Sequence, residues 1–263
     1  MESKRVQDRG VDFVNNSDSI SVIMPVHNEE KYLPVSLESL KEARISELIV
    51  ILDRCTDSSE SIVKKNFPEA KIINKKQCGW KNSYAENLQI GYEHASGRII
   101  CIHDADIKSS PEVFNFLLRE LKGRVASVSP EIWTYKEESF LNLLYYYWEK
   151  TYRITPFGGE PRGGFRLIRR ECLERIGGFK DVIAPDTQLD IDLRKIGYES
   201  KLCRGVACLH LRRFSFKKAV KSQIISGKMR REINMSFWRV LGHSIVRLRP
   251  FVLYGYLKYA SAS

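Results

Sequence analysis

A chain of 263 residues with 43% hydrophobic and 29% charged residues can bury one sizeable core, and no run of 18 apolar residues and no leading apolar stretch points to a spanning helix or a signal peptide. Its six cysteines lack any C-x-x-C spacing, a usage that reads as reduced, buried thiols in a cytosolic protein. The net charge of +11 is segregated, because residues 212–263 hold twelve Lys/Arg against the single acid Glu232 while the first 211 residues balance.

Residues 1–18 are polar and read as a loose segment. Ser19–Val26 (SISVIMPV) reads as a strand that Pro25 brings to its end, since proline cannot donate to a ladder. Asn28 then looks like an N-cap, with Glu29 and Glu30 in the first turn of a helix to about Ala43. Glu47–Asp53 (ELIVILD) is a second buried strand closing on a carboxylate, and Asp57 with Glu60 resembles a capping box for a helix through Asn66. Ala70–Asn74 reads as a third strand and Lys81–Ala95 as a helix stopped by Gly97.

Arg98–Asp106 (RIICIHDAD) carries the strongest chemical signal. Its β-branched run reads as a strand buried on both faces, and it empties into Asp104 and Asp106. Paired carboxylates raise one another's pKa unless a cation lies between them, and oxygen ligands suit Mg²⁺ or Mn²⁺. The bland alternative is an acidic turn after a core strand. Ser110-Pro111 then starts a helix to Leu121. Strand–helix alternation with short links predicts a doubly wound, mostly parallel α/β sheet, whose carboxyl edge gathers Val26, His27, Asp53 and Asp104–Asp106 in one crevice. Neither G-x-G-x-x-G nor a P-loop sequence is present, which argues against a dinucleotide dehydrogenase and a P-loop NTPase.

Arg124–Trp133 reads as a strand and Phe140–Tyr152 as an aromatic helix, either packing or contacting an acceptor. Pro156–Gly164 is a glycine-rich loop, Phe165–Ile168 a strand and Glu171–Ile176 a short helix. On the helix of Ala184–Gly197, Leu189, Leu193 and Ile196 form the buried stripe, and Asp190 and Asp192 read as solvated. Asp186 sits at the helix start, where N-cap service to Gln188 or Leu189 is one open role. Ser200–Arg204 and Val206–His210 read as two short strands, the second ending on a histidine that is either structural or a ligand.

Residues 212–263 form a tail of helices. Phe216, Val220 and Ile224 mark one face of the first, and Trp238, Leu241, Ile245 and Leu248 recur at helical spacing beside Arg239, Arg247 and Arg249. Basic residues next to Trp, Phe and Tyr suit an interfacial helix on an anionic membrane. A solvated basic face and a nucleic-acid surface are the alternatives, and no nucleic-acid motif accompanies the charge. Arg212, Arg213 or Arg230 could instead, on charge and position alone, clamp an anionic group such as a diphosphate.

Several separated motifs, taken together and in order, resemble the inverting family 2 glycosyltransferases of GT-A fold. They are P-V-H-N-E-E (25–30), Asp53 followed by C-T-D-S-S (55–59), N-L-Q-I-G-Y-E-H-A-S-G (87–97) before D-A-D (104–106), and I-G-G-F (176–179) before P-D-T-Q-L-D-I-D-L-R-K-I-G-Y (185–198). The resemblance covers roughly residues 19–211. It implies a catalytic domain over 19–211, divided into a nucleotide-binding half (19–123) and an acceptor half (124–211), with 212–263 as an appended helical tail. Pro25, Val26, His27, Glu29, Asp53 and Lys81 would line the donor pocket. Asp104 would touch the ribose or the metal's shell, Asp106 would ligate Mg²⁺ or Mn²⁺, His210 would complete the metal site, and Asp186 would be the general base. The donor would be a UDP- or GDP-sugar and the acceptor a polyprenyl phosphate or lipid-linked glycan, placing the enzyme in the cytoplasm, peripheral on the cytosolic membrane face.

Three departures stand out: Pro185 replaces an acid before the base, Arg54 a frequent second Asp, and His27 an aromatic. The alternatives are a sugar-nucleotide pyrophosphorylase, although P-V-H-N-E-E stands where its glycine-rich loop would be, and a catalytically silent sugar-nucleotide or membrane-binding module. His103 receives no role.

Overall fold

The computed structural model describes residues 19–134, 140, 143–144, 147–148, 161–212 and 215–259. The expectations for residues 1–18, for most of Phe140–Tyr152, for the first half of the glycine loop and for Arg213 fall outside them.

Chain order is β1 (Ile20–Val26), α1 (Leu33–Glu38), β2 (Glu47–Asp53), α2 (Ser59–Asn66), β3 (Lys71–Lys75), α3 (Ser83–His94), β4 (Ile99–His103), β5 (Ile107–Lys108), α4 (Pro111–Glu120) and β6 (Val125–Thr134). There follow β7 (Phe165–Arg169), α5 (Arg170–Arg175), α6 (Pro185–Lys195), β8 (Glu199–His210), α7 (Phe216–Glu232), α8 (Phe237–Val246) and α9 (Pro250–Lys258). The eight strands form one mixed sheet in the order β3-β2-β1-β4-β7-β6-β8-β5. β3, β2, β1 and β4 are mutually parallel, β7 runs antiparallel to β4 and β6, and β8 returns parallel to β6.

Alternate residues of the central strands feed two cores. Val22, Met24, Leu48, Val50 and Cys101 pack on one face, and Ile23, Ile49, Ile51, Ile100 and Ile102 pack on the other. Burial on both faces explains why these strands are nearly continuous apolar runs.

Four details differ from the sequence expectation. Asn28 caps no helix: its backbone turns through φ 54°, its Oδ1 accepts from Thr56 N at 2.8 Å, and α1 begins only at Leu33. Asp57 does meet Ser59 N, at 3.0 Å, where α2 starts, but Glu60 pairs with Lys64 rather than closing a box, and Asp57 Oδ2 and Glu30 Oε2 tie the two loops together by accepting from Glu30 N (2.9 Å) and Ser58 N (3.1 Å). The two strands expected over 200–210 are one, β8, with 204–206 bulged out between the pairs Pro130–Cys203 and Glu131–Ala207. Phe216 is 70% exposed rather than packed.

In the tail, α7 and α9 approach so closely that Gly227 and Gly255 each leave no room for a Cβ against the opposing backbone. Between them α8 is turned inside out. Val240, His243, Ser244 and Arg247 are buried, while Trp238, Ile245 and Leu248 are 76%, 64% and 75% exposed.

Candidate active site

β1 and β4 are neighbours, and the chain leaves them in opposite directions across the sheet, so a crevice opens at their carboxyl ends. Pro25, Val26, His27 and Glu29 descend from β1, Asp53 ends β2, and Asp104, Ala105 and Asp106 follow β4. Together with Arg54, Ser83, Tyr84, Asn87 and Arg212 they line a cavity of ≈ 350 Å³. His27 is exposed, and its ring Nδ1 bonds the Asp53 carbonyl at 2.6 Å.

The start of α3 supplies the far wall. Asn82 caps it, accepting from Tyr84 N (3.0 Å) and Ala85 N (3.3 Å), and its amide reaches the carbonyls of Val182 and Ile183. A helix begun there places Ser83 and Asn87 one turn apart on one face, toward Asp53. Asp53 accepts from the Ser83 hydroxyl, from Asn87 Nδ2 (3.1 Å) and from Arg54 Nε (2.7 Å), with Lys75 Nζ at 3.4 Å. Burial pushes this carboxyl up, but those hydrogen bonds and Lys75 outweigh it and hold Asp53 well below the carboxylate range. Ser83, Asn87 and Tyr84 line the cavity in addition to the residues expected from the sequence. Their signal was the position of a helix N-terminus facing strand-terminal acids.

The two carboxylates of D-A-D have unlike surroundings. Asp104 N donates to Gly164 O (2.8 Å), and its Oδ1 accepts from Tyr84 Oη (2.9 Å). Burial first, then the charge of Asp106, pushes Asp104 up to about 7. For Asp106 burial is overcome by His210 and Arg212, which bring it down to about 2. His210 Nε2 lies 3.4 Å from Asp106 Oδ2, and Asp106 raises the imidazole pKa against the opposing effect of burial. Arg212 Nε donates to the same Oδ2 and its Nη2 to Glu29 Oε1. Burial pushes Glu29 up more than Arg212 pulls it down.

Beneath this loop lies His103, which the sequence left without a role. Its buried ring packs edge-on to Phe165 and meets the Asp104 carbonyl and the Ser109 hydroxyl, each at 3.1 Å. Burial lowers its pKa to about 4, so a neutral imidazole braces the loop from inside.

Asp186 stands next to the cavity, in the first turn of α6. It does not cap Gln188 or Leu189: Gln188 N bonds Ala184 O, and Asp186 Oδ1 accepts, among the described residues, from Thr187 N at 2.8 Å. A Cβ on Gly163 would lie 2.8 Å from Asp186 Oδ2, and one on Gly164 would lie 2.8 Å from Asp104 Oδ2. Two successive bare backbones thus separate the two carboxylates. Asp190, expected to be solvated, is instead gripped by fully buried Arg166 through bonds of 2.9 and 3.1 Å, and the same guanidinium donates to the Asp186 carbonyl at 3.2 Å. A helical period shows which side of α6 Asp190 occupies but not that β7 offers a cation there. Lys81 lies outside the cavity lining, where its backbone N–H bonds Asp181 at 3.0 Å.

The residue types fit a divalent cation. Asp104, Asp106 and His210 offer oxygen and imidazole donors, the repulsion that raises Asp104 is one a shared cation relieves, and Gly164 leaves space against Asp104 Oδ2. As they stand, no three such groups converge as a ligand cluster among the described residues. Tyr84 holds Asp104 and Arg212 holds Asp106.

Residues 21–177 match the family model described as Glycosyl transferase family 2. The probable glycosyltransferase YdaM of Bacillus subtilis is 26% identical over 208 residues, spanning 68% of this chain and 47% of that protein. The bactoprenol glucosyl transferase of Shigella phage SfV is 26% identical over 178 residues, 60% of this chain and 54% of its own. The chain therefore spans about half the length of these curated relatives. Among solved structures, the mannosyltransferase PcManGT of Pyrobaculum calidifontis, in complex with GDP-Man and Mn²⁺, superposes with a TM-score of 0.62 at 21% identity, covering 91% of this chain and 70% of that one. This likeness establishes the GT-A-type fold.

Proposed function

From the premise that the chain belongs to glycosyl transferase family 2, we propose that it transfers a sugar, with inversion, from a UDP- or GDP-sugar to a polyprenyl phosphate or lipid-linked glycan. Family membership sets aside the pyrophosphorylase reading. The observation that carries the proposal is the glycine ridge: Gly164 borders Asp104 on the donor side, and Gly163 borders Asp186 on the other. A sugar lying across bare backbone would meet the donor carboxylates on one side and a base on the opposite one, the arrangement a single in-line displacement needs.

In this reading Pro25, Val26, His27 and Asp53 hold the nucleoside, and Asp104, Asp106 and His210 are the residues that would hold Mn²⁺ or Mg²⁺. The cation supplies charge neutralisation for the departing diphosphate. Asp186 takes the acceptor proton, or steers an acceptor that is already a phosphate anion. The bactoprenol glucosyl transferase similarity supports a polyprenyl acceptor, and the outward apolar face of α8 supports work at an anionic membrane surface.

The test is nucleoside diphosphate release with Mn²⁺ or Mg²⁺, with and without a short-chain polyprenyl phosphate. Stimulation by the lipid is expected, and donor binding without turnover for any acceptor leaves the silent module instead. Asp186→Asn should lower turnover on a hydroxyl acceptor about 10²–10⁴-fold with donor affinity unchanged. Turnover within a few-fold of wild type would return Asp186 to a helix-start residue.

A further inference from the structure

Arg212 follows β8 by two residues and is pinned from behind, because Leu211 N donates to the Asp106 carbonyl at 2.8 Å. Its guanidinium bridges Asp106, from the D-A-D loop, and Glu29, from the loop leaving β1, and it lies 5.6 Å over the Tyr32 ring. Those carboxylates come from the loops after two neighbouring strands, and both line the cavity, as does Arg212 itself. One planar fork therefore joins the two loops. The Asp106 oxygen it takes, Oδ2, is also the one nearest His210. A divalent cation held by Asp106 and His210 would have to share that carboxylate with Arg212.

Resting on the donor-site reading above, we propose that Arg212 is a built-in counter-cation: it holds Asp106 and Glu29 together until donor and metal arrive, gives up Asp106 to the metal, and turns its freed guanidinium to the donor diphosphate. The physical reason is charge balance. Glu29 and Asp106 both reach the Arg212 guanidinium and Asp104 lines the same cavity, so an internal cation lowers the repulsion among them. When a metal takes its place at Asp106, the displaced guanidinium, which lines the same cavity, would turn to the anionic diphosphate of the donor. Neither ligand alone completes the exchange, since the metal must evict an ion pair and the diphosphate must attract an arginine already engaged. Each ligand therefore strengthens the other, and by linkage the factor is the same in both directions.

The experiment measures Mn²⁺ affinity by electron paramagnetic resonance and UDP and GDP affinity by calorimetry, on the full chain and without any acceptor. In the wild type, Mn²⁺ alone should bind weakly, and saturating nucleotide should tighten it by about tenfold or more. Arg212→Gln should bind Mn²⁺ alone about fivefold to tenfold tighter, bind nucleotide more weakly in saturating Mn²⁺, and lose most of the mutual effect. Arg212→Lys keeps the charge but replaces the planar five-donor fork with a single nitrogen, so it should fall between them, and it replaces the glutamine variant if that one does not fold. Unchanged or weaker Mn²⁺ binding in both variants, with nucleotide affinity intact, overturns the proposal. If the wild type binds nucleotide but no Mn²⁺ and Asp106→Ala changes nothing, the metal reading itself fails and the counter-cation role fails with it.

Discussion

Asp53 shows how one side chain serves fold and site together. Its carboxylate is buried at the end of β2, yet hydrogen bonds from Ser83, Asn87 and Arg54, with Lys75 close by, keep it ionised. Asp53→Asn removes the charge while leaving Lys75 buried with Glu86 as its remaining charged partner, so stability should fall by about 2–4 kcal/mol in urea unfolding. The sign of the pH effect follows from the depressed pKa. The stabilisation is fully present above the ordinary carboxylate value and is lost as pH falls through the folded one. The asparagine variant should therefore unfold at a midpoint that depends less on pH below about 4. An unaltered acid limb would mean that other carboxylates carry it. Asp53, Asp104 and Asp106 were legible in the sequence because each follows a β-branched run that fixes where the chain meets the sheet edge. Asp190 was not, because its partner Arg166 lies 24 residues away on a strand whose alternation names its inward face and not its neighbour.

The link between β7 and α6 belongs to the scale of elements. Arg166 is a fully buried cation inside the sheet, balanced by Asp190 and bonded to the Asp186 carbonyl, so it fixes the angle at which the first turn of α6 meets the glycine ridge. Arg166→Met leaves an unpaired, mostly buried carboxylate and should cost about 3–5 kcal/mol, whereas Arg166→Met with Asp190→Leu should recover most of that. Turnover should not recover with stability. With the Arg166 bond to the Asp186 carbonyl gone, the double variant should stay about tenfold or more below wild type while donor affinity is preserved, because, if Asp186 is the proposed base, its small misplacement is expensive in rate. Equal recovery of both would make Arg166 a packing residue only. Elements whose signal is local were readable: β2 matches its expected span, and α3 and α4 start within two residues of theirs. Those governed by tertiary partners were not. α1 starts late because Asn28 bonds Thr56 across the loops, two-residue β5 exists only by pairing with β8, and the bulge in β8 depends on its register against β6.

At the scale of the whole molecule, charge and apolar exposure collect in the same place. The net +11 lies in residues 212–263, and no described helix there is long and apolar enough to cross a membrane. The stripe Trp238, Leu241, Ile245, Leu248 was visible in sequence, but its direction was not, since a helical period reports a face without saying what covers it. In the structure Trp238, Ile245 and Leu248 point out while His243, Ser244 and Arg247 are buried, which reverses the usual arrangement of a surface helix. Burying three such side chains is worth roughly 1.5–3 kcal/mol each, and each nearby Lys or Arg adds about 1 kcal/mol at an anionic surface. Vesicles containing anionic lipid should therefore sediment the protein, and raising the salt several-fold should weaken the binding without abolishing it, because only the electrostatic part is screened. The variant with Trp238→Ser, Ile245→Ser and Leu248→Ser should lose about tenfold or more in vesicle affinity and keep nucleotide affinity intact, since these residues lie outside the cavity proposed to hold the donor. Equal binding to neutral and anionic vesicles would remove the electrostatic part of the argument. Full vesicle affinity in the triple variant would remove the apolar part, and α8 would then present its hydrophobic side to something other than lipid.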